Sequence, residues 1–149
     1  MANVDARLLV VGEGPQGAEW RELTRQLALE DKVKFLGRVS DEELVALYHA
    51  CDVFVLPAIH RSESWGAVQV EAMACGKPVV ATKNGGSEEI VTPGKTGLLC
   101  DAADPQGLAE SIVRAIDAPW DASAIVKSSR LYSWENIGKE VLRMYSSII

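Results

Sequence analysis

Arg61-Ser-Glu63-Ser-Trp65-Gly66-Ala67-Val-Gln-Val-Glu71-Ala-Met-Ala-Cys75-Gly76-Lys-Pro78-Val-Val-Ala-Thr82 carries the organising pattern of this 149-residue chain. Two carboxylates, Glu63 and Glu71, stand on either side of a glycine that opens a short apolar helix. Gly76 and Pro78 end that helix, and a β-branched run follows as a strand. A helix that starts in a loop presents unpaired backbone N–H groups and the positive end of its dipole, a favourable place for an anion. Carboxylates around such a place are not phosphate ligands; they suit hydroxyl groups. A ligand that joins a phosphate to a polyol on each side is a nucleotide sugar, with ribose at one end and a hexose at the other. Any acidic helix can also give a spaced pair of glutamates, so the rest of the chain has to agree.

Outward from this stretch, strands alternate with helices. Arg7-Leu-Leu-Val-Val11 is a continuous apolar run ending in glycine, as in a parallel strand buried on both faces. Leu23, Leu27 and Ala28 mark a helical stripe that breaks at Glu30-Asp31. Val33 to Leu36 is a second strand. Ser40 and Glu43 form a capping box that starts a helix running to about Ala50. Val53 to Leu56 is a third strand, stopped by Pro57, and Val79 to Thr82 a fourth. Gly85-Gly86 leads into a short helix over Ser87 to Val91, and Gly97 to Cys100 is a last short strand. Asp104-Pro105 sets a helix start, and Trp134 to Ser147 is a final amphipathic helix with Ile137, Val141, Leu142 and Tyr145 on one side. The pattern predicts one α/β domain with a doubly wound, mostly parallel sheet.

Composition narrows the function. Nearly half of the residues are hydrophobic and 24% are charged, an ordinary globular balance. The net charge of −6 argues against nucleic acid as a partner, since that needs a basic surface. No apolar run approaches the roughly 20 residues of a membrane-spanning helix, and no charged-then-apolar leader opens the sequence. Cys51, Cys75 and Cys100 lie in apolar contexts without metal-ligand spacing, which predicts free thiols in a reducing, cytoplasmic setting.

The segments Val10-Val-Gly12-Glu-Gly14-Pro15, Val33-Lys-Phe-Leu-Gly37, Leu47-Tyr48-His-Ala-Cys-Asp52-Val-Phe-Val-Leu-Pro57, Gly85-Gly86-Ser-Glu-Glu89-Ile-Val, Gly97-Leu-Leu and Tyr132-Ser-Trp134-Glu135 follow in order. With the Glu63–Glu71 stretch they resemble the C-terminal, donor-binding domain of family 4 retaining glycosyltransferases, which have the GT-B fold. The resemblance runs from about Arg7 to the last helix. It implies a Rossmann-like half of a GT-B enzyme that transfers a hexose from a nucleotide-diphosphate sugar to a hydroxyl acceptor. The nucleotide sugar is then a substrate, and no cofactor or metal is implied. Glu63 would orient the transferred sugar as the catalytic position, and Glu71 would accept hydrogen bonds from the ribose hydroxyls. The backbone amides of Trp65, Gly66 and Ala67 would meet the diphosphate and sugar. Trp65 stands where the family commonly has phenylalanine, which leaves backbone contacts intact but alters the width of a pocket.

The same resemblance makes Gly12 and Gly14 a loop bordering the donor pocket, and Gly37-Arg38-Val39 the loop against the nucleobase. Gly85, Gly86 and Glu89 would lie under the donor phosphate and sugar. Each has a plainer alternative. Gly12-Glu-Gly14-Pro-Gln-Gly17 is literally G-x-G-x-x-G, the form of a nicotinamide dinucleotide fingerprint. An acidic residue should then end the next strand to hold the ribose, yet that strand ends at Gly37-Arg38. Glu71 could equally be a solvated residue on a small-residue helix, and Gly85-Gly86 a simple turn into a helix whose start favours acidic side chains. His49 fits a structural role, while His60 could border the pocket.

The resemblance also implies that the family's first strand–helix unit, with an Arg and Lys that neutralise the leaving diphosphate, and its N-terminal acceptor domain lie outside this sequence. Such charge stabilisation is commonly among the largest catalytic effects, so the chain alone is expected to be inactive. A non-catalytic nucleotide-sugar-binding or subunit-interacting module is therefore the alternative function. The apolar side of the last helix is expected either to self-associate or to lose order beyond Lys139. A peripheral membrane position of a full-length enzyme stays open.

Overall fold

The computed structural model describes residues 5–59 and 65–148. Its residues group into two compact units, one ending at Ala46 and the other beginning at Leu47.

In the first unit, strand β1 (Leu8–Val11) pairs in parallel with β2 (Val33–Gly37), and helix α1 (Gly17–Gln26) connects them. Leu8 lies opposite Val33 and Val11 opposite Gly37, with a register shift between Val10 and Val11. Arg21 of α1 stacks its guanidinium 4.5 Å above the Phe35 ring, a cation–π contact that holds the helix to β2. Two expectations need correction here. β1 is not buried on both faces, since Leu8 and Leu9 are 51% and 42% exposed. Two strands with one crossover helix contain too little chain to screen both faces of the pair. Nor does the helix continue through Leu27 and Ala28. Ala28 adopts a left-handed φ of 54°, its N–H donates to Arg25 O, and Leu29 N–H reaches back to Thr24 O. That is a Schellman ending, and hydrophobic periodicity carries no sign of it.

Helix α2 (Asp41–Ala50) begins at the predicted capping box. Glu43 N–H donates to Ser40 Oγ at 3.2 Å, and Ser40 N–H donates to Glu43 Oε2 at 2.8 Å. The second unit is built on three parallel strands in the order β3 (Phe54–Leu56), β4 (Val79–Thr82), β5 (Gly97–Cys100). Central β4 is wholly enclosed, with Val79, Val80 and Ala81 all 0% exposed. Its crossovers are α3 (Ala67–Ala74) and α4 (Gly86–Ile90). Ala72 and Met73 of α3 and Ile90 of α4 are buried, with Ala115 of α5 (Pro105–Asp117) and Ile125 of α6 (Ala122–Ser129) completing the core. Gly97 is required by contact: a Cβ there would overlap the Val79 carbonyl oxygen and stand 2.8 Å from its carbon.

Pro105 opens α5 as expected, with the Asp104 carboxylate accepting from Gly107 N–H at 3.0 Å. The sequence reading did not anticipate α6. It is capped by Asp121, which accepts from Ala124 N–H at 3.0 Å, and it packs where α3 ends. A Cβ on Gly76 would lie 3.3 Å from Ala122 Cβ. A 3-10 turn at Arg130–Tyr132 leads to α7 (Trp134–Ser146). No residue of α7 is buried, and Trp134, Leu142 and Tyr145 are 87%, 67% and 64% exposed.

Candidate functional site

The second unit places Trp65, Gly66 and Ala67 at the start of α3. Gly66 takes a left-handed conformation (φ 76°, ψ 54°) immediately before the helix, and among the described residues no side chain caps the turn. A side chain at Gly66 is excluded twice. Left-handed φ disfavours it, and a Cβ would strike the Gln69 amide nitrogen and come within 3.1 Å of Leu56 Cδ2. Gln69 is fully buried beneath the turn, its Nε2 reaching the Gly66 carbonyl at 3.4 Å. Ala67 is exposed at the first helical position, and Trp65 is half-buried just before the turn. The start of α3 thus combines a positive dipole end with backbone donors that no side chain among the described residues caps.

Glu71 lies farther along α3, with its side chain exposed. It accepts a 3.0 Å hydrogen bond from the Tyr48 hydroxyl. Tyr48 itself is only 5% exposed. Burial, then the hydrogen bond to Glu71 and that carboxylate's charge, hold the Tyr48 phenol well above its ordinary value.

Gly85, Gly86 and Glu89 are placed at α4. Gly85 has φ 99°. Here the helix start is closed by side chains of its own segment. Glu88 Oε2 accepts from Gly85 N–H at 2.8 Å, and Asn84 Oδ1 accepts from Ser87 N–H at 3.0 Å. Tyr132 ties this element to the α3 turn. Its ring meets Trp65 edge-to-face at 5.0 Å, and its hydroxyl donates to the Glu89 carbonyl at 2.7 Å. Gln69 Oε1 in α3 and Ser87 Oγ in α4 are buried without a hydrogen-bond partner among the described residues. Such atoms cost about 1–3 kcal/mol each when left so.

Within the first unit, the parallel pairing brings the ends of β1 and β2 together. Gly12 (φ 104°) donates its N–H to Gly37 O at 2.7 Å. Arg38 Nε approaches Glu13 Oε2 at 3.2 Å in an exposed ion pair, while Val39 is half-buried. Gly14 forms a tight turn that accepts Gly17 N–H at 3.1 Å. A Cβ at Gly14 or Gly17 would meet nothing within 4 Å. In a dinucleotide fingerprint the third glycine is needed for close helix–strand packing, and Gly17 carries no such constraint.

Glu63 and His60 lie outside the described residues. Among the described residues no group of three His, Cys, Asp or Glu is placed to share a metal ion. The three cysteines are free thiols; Cys100 is buried, and Cys51 and Cys75 are half-buried. Tyr48, Gln69 and Tyr132 are the structural supports that sequence reasoning did not single out. Tyr48 and Tyr132 fall inside segments that carried the family resemblance, but nothing local names their partners, 23 and 43 positions away.

Residues 1–131 match the family model described as glycosyl transferases group 1. The chain belongs to the group 1 glycosyltransferase family. Among curated relatives of this family, the D-inositol 3-phosphate glycosyltransferase of Corynebacterium urealyticum is 37% identical over 95% of this chain. The chain spans 35% of that relative's length. Among solved group 1-like structures, HepE of Anabaena in complex with UDP-glucose matches with TM-score 0.74 and 32% identity. That match covers 95% of this chain and 41% of the Anabaena protein. The lipopolysaccharide outer core galactosyltransferase WaaB in its apo form superposes with TM-score 0.85, covering 96% of this chain and 41% of WaaB. Its 18% identity speaks for the fold alone. The α/β architecture with parallel strands is that of the Rossmann-like domains of GT-B glycosyltransferases.

Proposed function

We propose that this glycosyltransferase group 1 domain binds the nucleotide-diphosphate sugar of a retaining enzyme that transfers a hexose to a hydroxyl acceptor. The observation that carries the reading is an exposed carboxylate, Glu71, on a helix whose start is not closed by any side chain among the described residues. The uncapped turn at Trp65, Gly66 and Ala67 suits the diphosphate. Glu71, farther along the same helix, suits the ribose hydroxyls. The Anabaena neighbour solved with UDP-glucose supports this ligand class. Glu63 is assigned to the transferred sugar, and the departing phosphate would assist the acceptor on the same face of the ring. Gly85, Gly86 and Glu89 at α4 are assigned to the region under the donor's phosphate and sugar. For the first unit by itself, Gly12, Gly14, Gly37, Arg38 and Val39 are proposed to present backbone groups to a ligand. A nucleotide-sugar substrate and free thiols go with the cytoplasm, which we propose as the location. Among the described residues no helix is long and apolar enough to cross a membrane.

Glu71→Ala tests the assignment. Calorimetric titration with UDP and GDP should show a loss of about 1.5–3 kcal/mol for the better nucleotide, as for hydrogen bonds to a charged group. The thermal midpoint should also fall, because the buried Tyr48 hydroxyl loses its acceptor, so affinities are compared at a temperature where both chains are folded. Equal affinity of variant and parent would remove Glu71 from the site.

A further inference from the structure

Glu71 has a fixed hydrogen-bond donor. Tyr48 comes from the end of α2, and its ring is held edge-to-face against Phe54 of β3, centroids 5.6 Å apart and planes at 66°. Its backbone carbonyl is engaged by the Cys51 thiol at 3.3 Å. The phenol is therefore clamped at the ring and at the backbone, and its hydroxyl is delivered to Glu71 Oε2 at 3.0 Å. A glutamate on an exposed helix otherwise samples several rotamers, and ordering them on binding opposes affinity. With Oε2 engaged, Oε1 accepts no hydrogen bond among the described residues.

We propose that Tyr48 is a positioning residue that locks the Glu71 rotamer and presents Oε1 to the vicinal ribose hydroxyls of the donor. The inference rests on the reading that Glu71 binds ribose. Tyr48 touches no ligand itself and acts only through the carboxylate. Its hydroxyl engages one oxygen and leaves the other for the diol, so its contribution belongs to ribose recognition and to nothing else in the nucleotide. The elevated phenol pKa agrees with this: the group stays a proton donor throughout the neutral range.

The test separates ribose recognition from packing. UDP and GDP, each beside its 2′,3′-dideoxy form, are titrated into the parent chain, Tyr48→Phe, Glu71→Ala and the double variant. The parent should prefer the better ribonucleotide over its dideoxy form, and Glu71→Ala should erase that preference. Tyr48→Phe should shrink the preference by about 3- to 10-fold, the range of one hydrogen bond, with dideoxy affinity unchanged. The double variant should match Glu71→Ala. If Tyr48→Phe keeps the full preference while Glu71→Ala loses it, the positioning role is wrong and the ribose reading stands. Equal weakening toward both forms of the nucleotide would mean that Tyr48 only packs. If the parent shows no preference, or Glu71→Ala retains one, the ribose reading fails and the inference falls with it. Incorporating 3-fluorotyrosine at position 48 gives a variant with near-native packing and a stronger donor. It must retain the preference, and its loss would overturn the proposal.

Discussion

The Tyr132 hydroxyl donates to the Glu89 backbone carbonyl across 43 positions of sequence, at 2.7 Å, while its ring meets Trp65 edge-on. One side chain thus fixes both the approach to α3 and the C-terminal half of α4. Tyr132→Phe keeps the ring contact and removes the bond, which should cost about 0.5–1.5 kcal/mol. Tyr132→Ala also loses the aromatic pair, a further 0.5–1.5 kcal/mol or so beyond the buried area. Urea unfolding of both variants checks the order; identical stabilities would show that the ring contact contributes nothing.

Two glycines should respond to alanine with opposite signs. At Gly97 the new methyl would overlap the Val79 carbonyl and force β5 away from β4, for a loss of about 3 kcal/mol or failure to fold. At Gly138, inside α7, a Cβ meets nothing within 4 Å. Gly138→Ala should therefore stabilise by about 0.5–1 kcal/mol through helix propensity. Thermal midpoints of the pair, measured side by side, are sufficient.

Ala28 holds a left-handed φ of 54° at the end of α1. Gly is the residue that relieves this strain, so Ala28→Gly should stabilise the chain by about 0.5–1 kcal/mol despite the added freedom of the unfolded state. Denaturant midpoints decide, and a destabilised variant would contradict the assigned turn.

Punctuation was legible in the sequence where a side chain closes its own helix, as at Ser40–Glu43 and Asp104–Gly107, because those bonds span three residues. Ala28 was missed because a stripe of apolar residues looks alike on either side of a left-handed turn. Helix α6 was missed because Ala122-Ser-Ala-Ile-Val-Lys-Ser-Ser129 is short and has little apolar stripe, leaving the Asp121 cap as its one local signal. At the candidate site the position of Glu71 on its helix was legible. Its partner was not, since Tyr48 and Glu71 meet only through tertiary packing.

Alkaline pH offers a probe of that partner. Tyr48 titrates above its ordinary value in the folded chain, through burial first and the Glu71 carboxylate second. Above about pH 10, where an unfolded tyrosine loses its proton, the folded state holds the greater number of protons. Stability should therefore be fully present below pH 10 and fall as pH rises toward the folded value. Tyr48→Phe should flatten that decline in unfolding experiments from pH 8 to pH 11. A decline of unchanged slope would show that other groups cause it.

The parallel order β3–β4–β5 has a kinetic consequence. Phe54 pairs with Val79, and Val79 with Gly97, so each pairing must close a loop of some twenty residues before it gains a single ladder bond. Among the described strands none can zip up from a tight turn beside its neighbour. Val79, Val80 and Ala81, the most deeply enclosed strand segment, depend on both of these long-loop pairings for their cover. During synthesis, β4 emerges before β5 and must remain unpaired on that edge until the polypeptide has lengthened past Cys100.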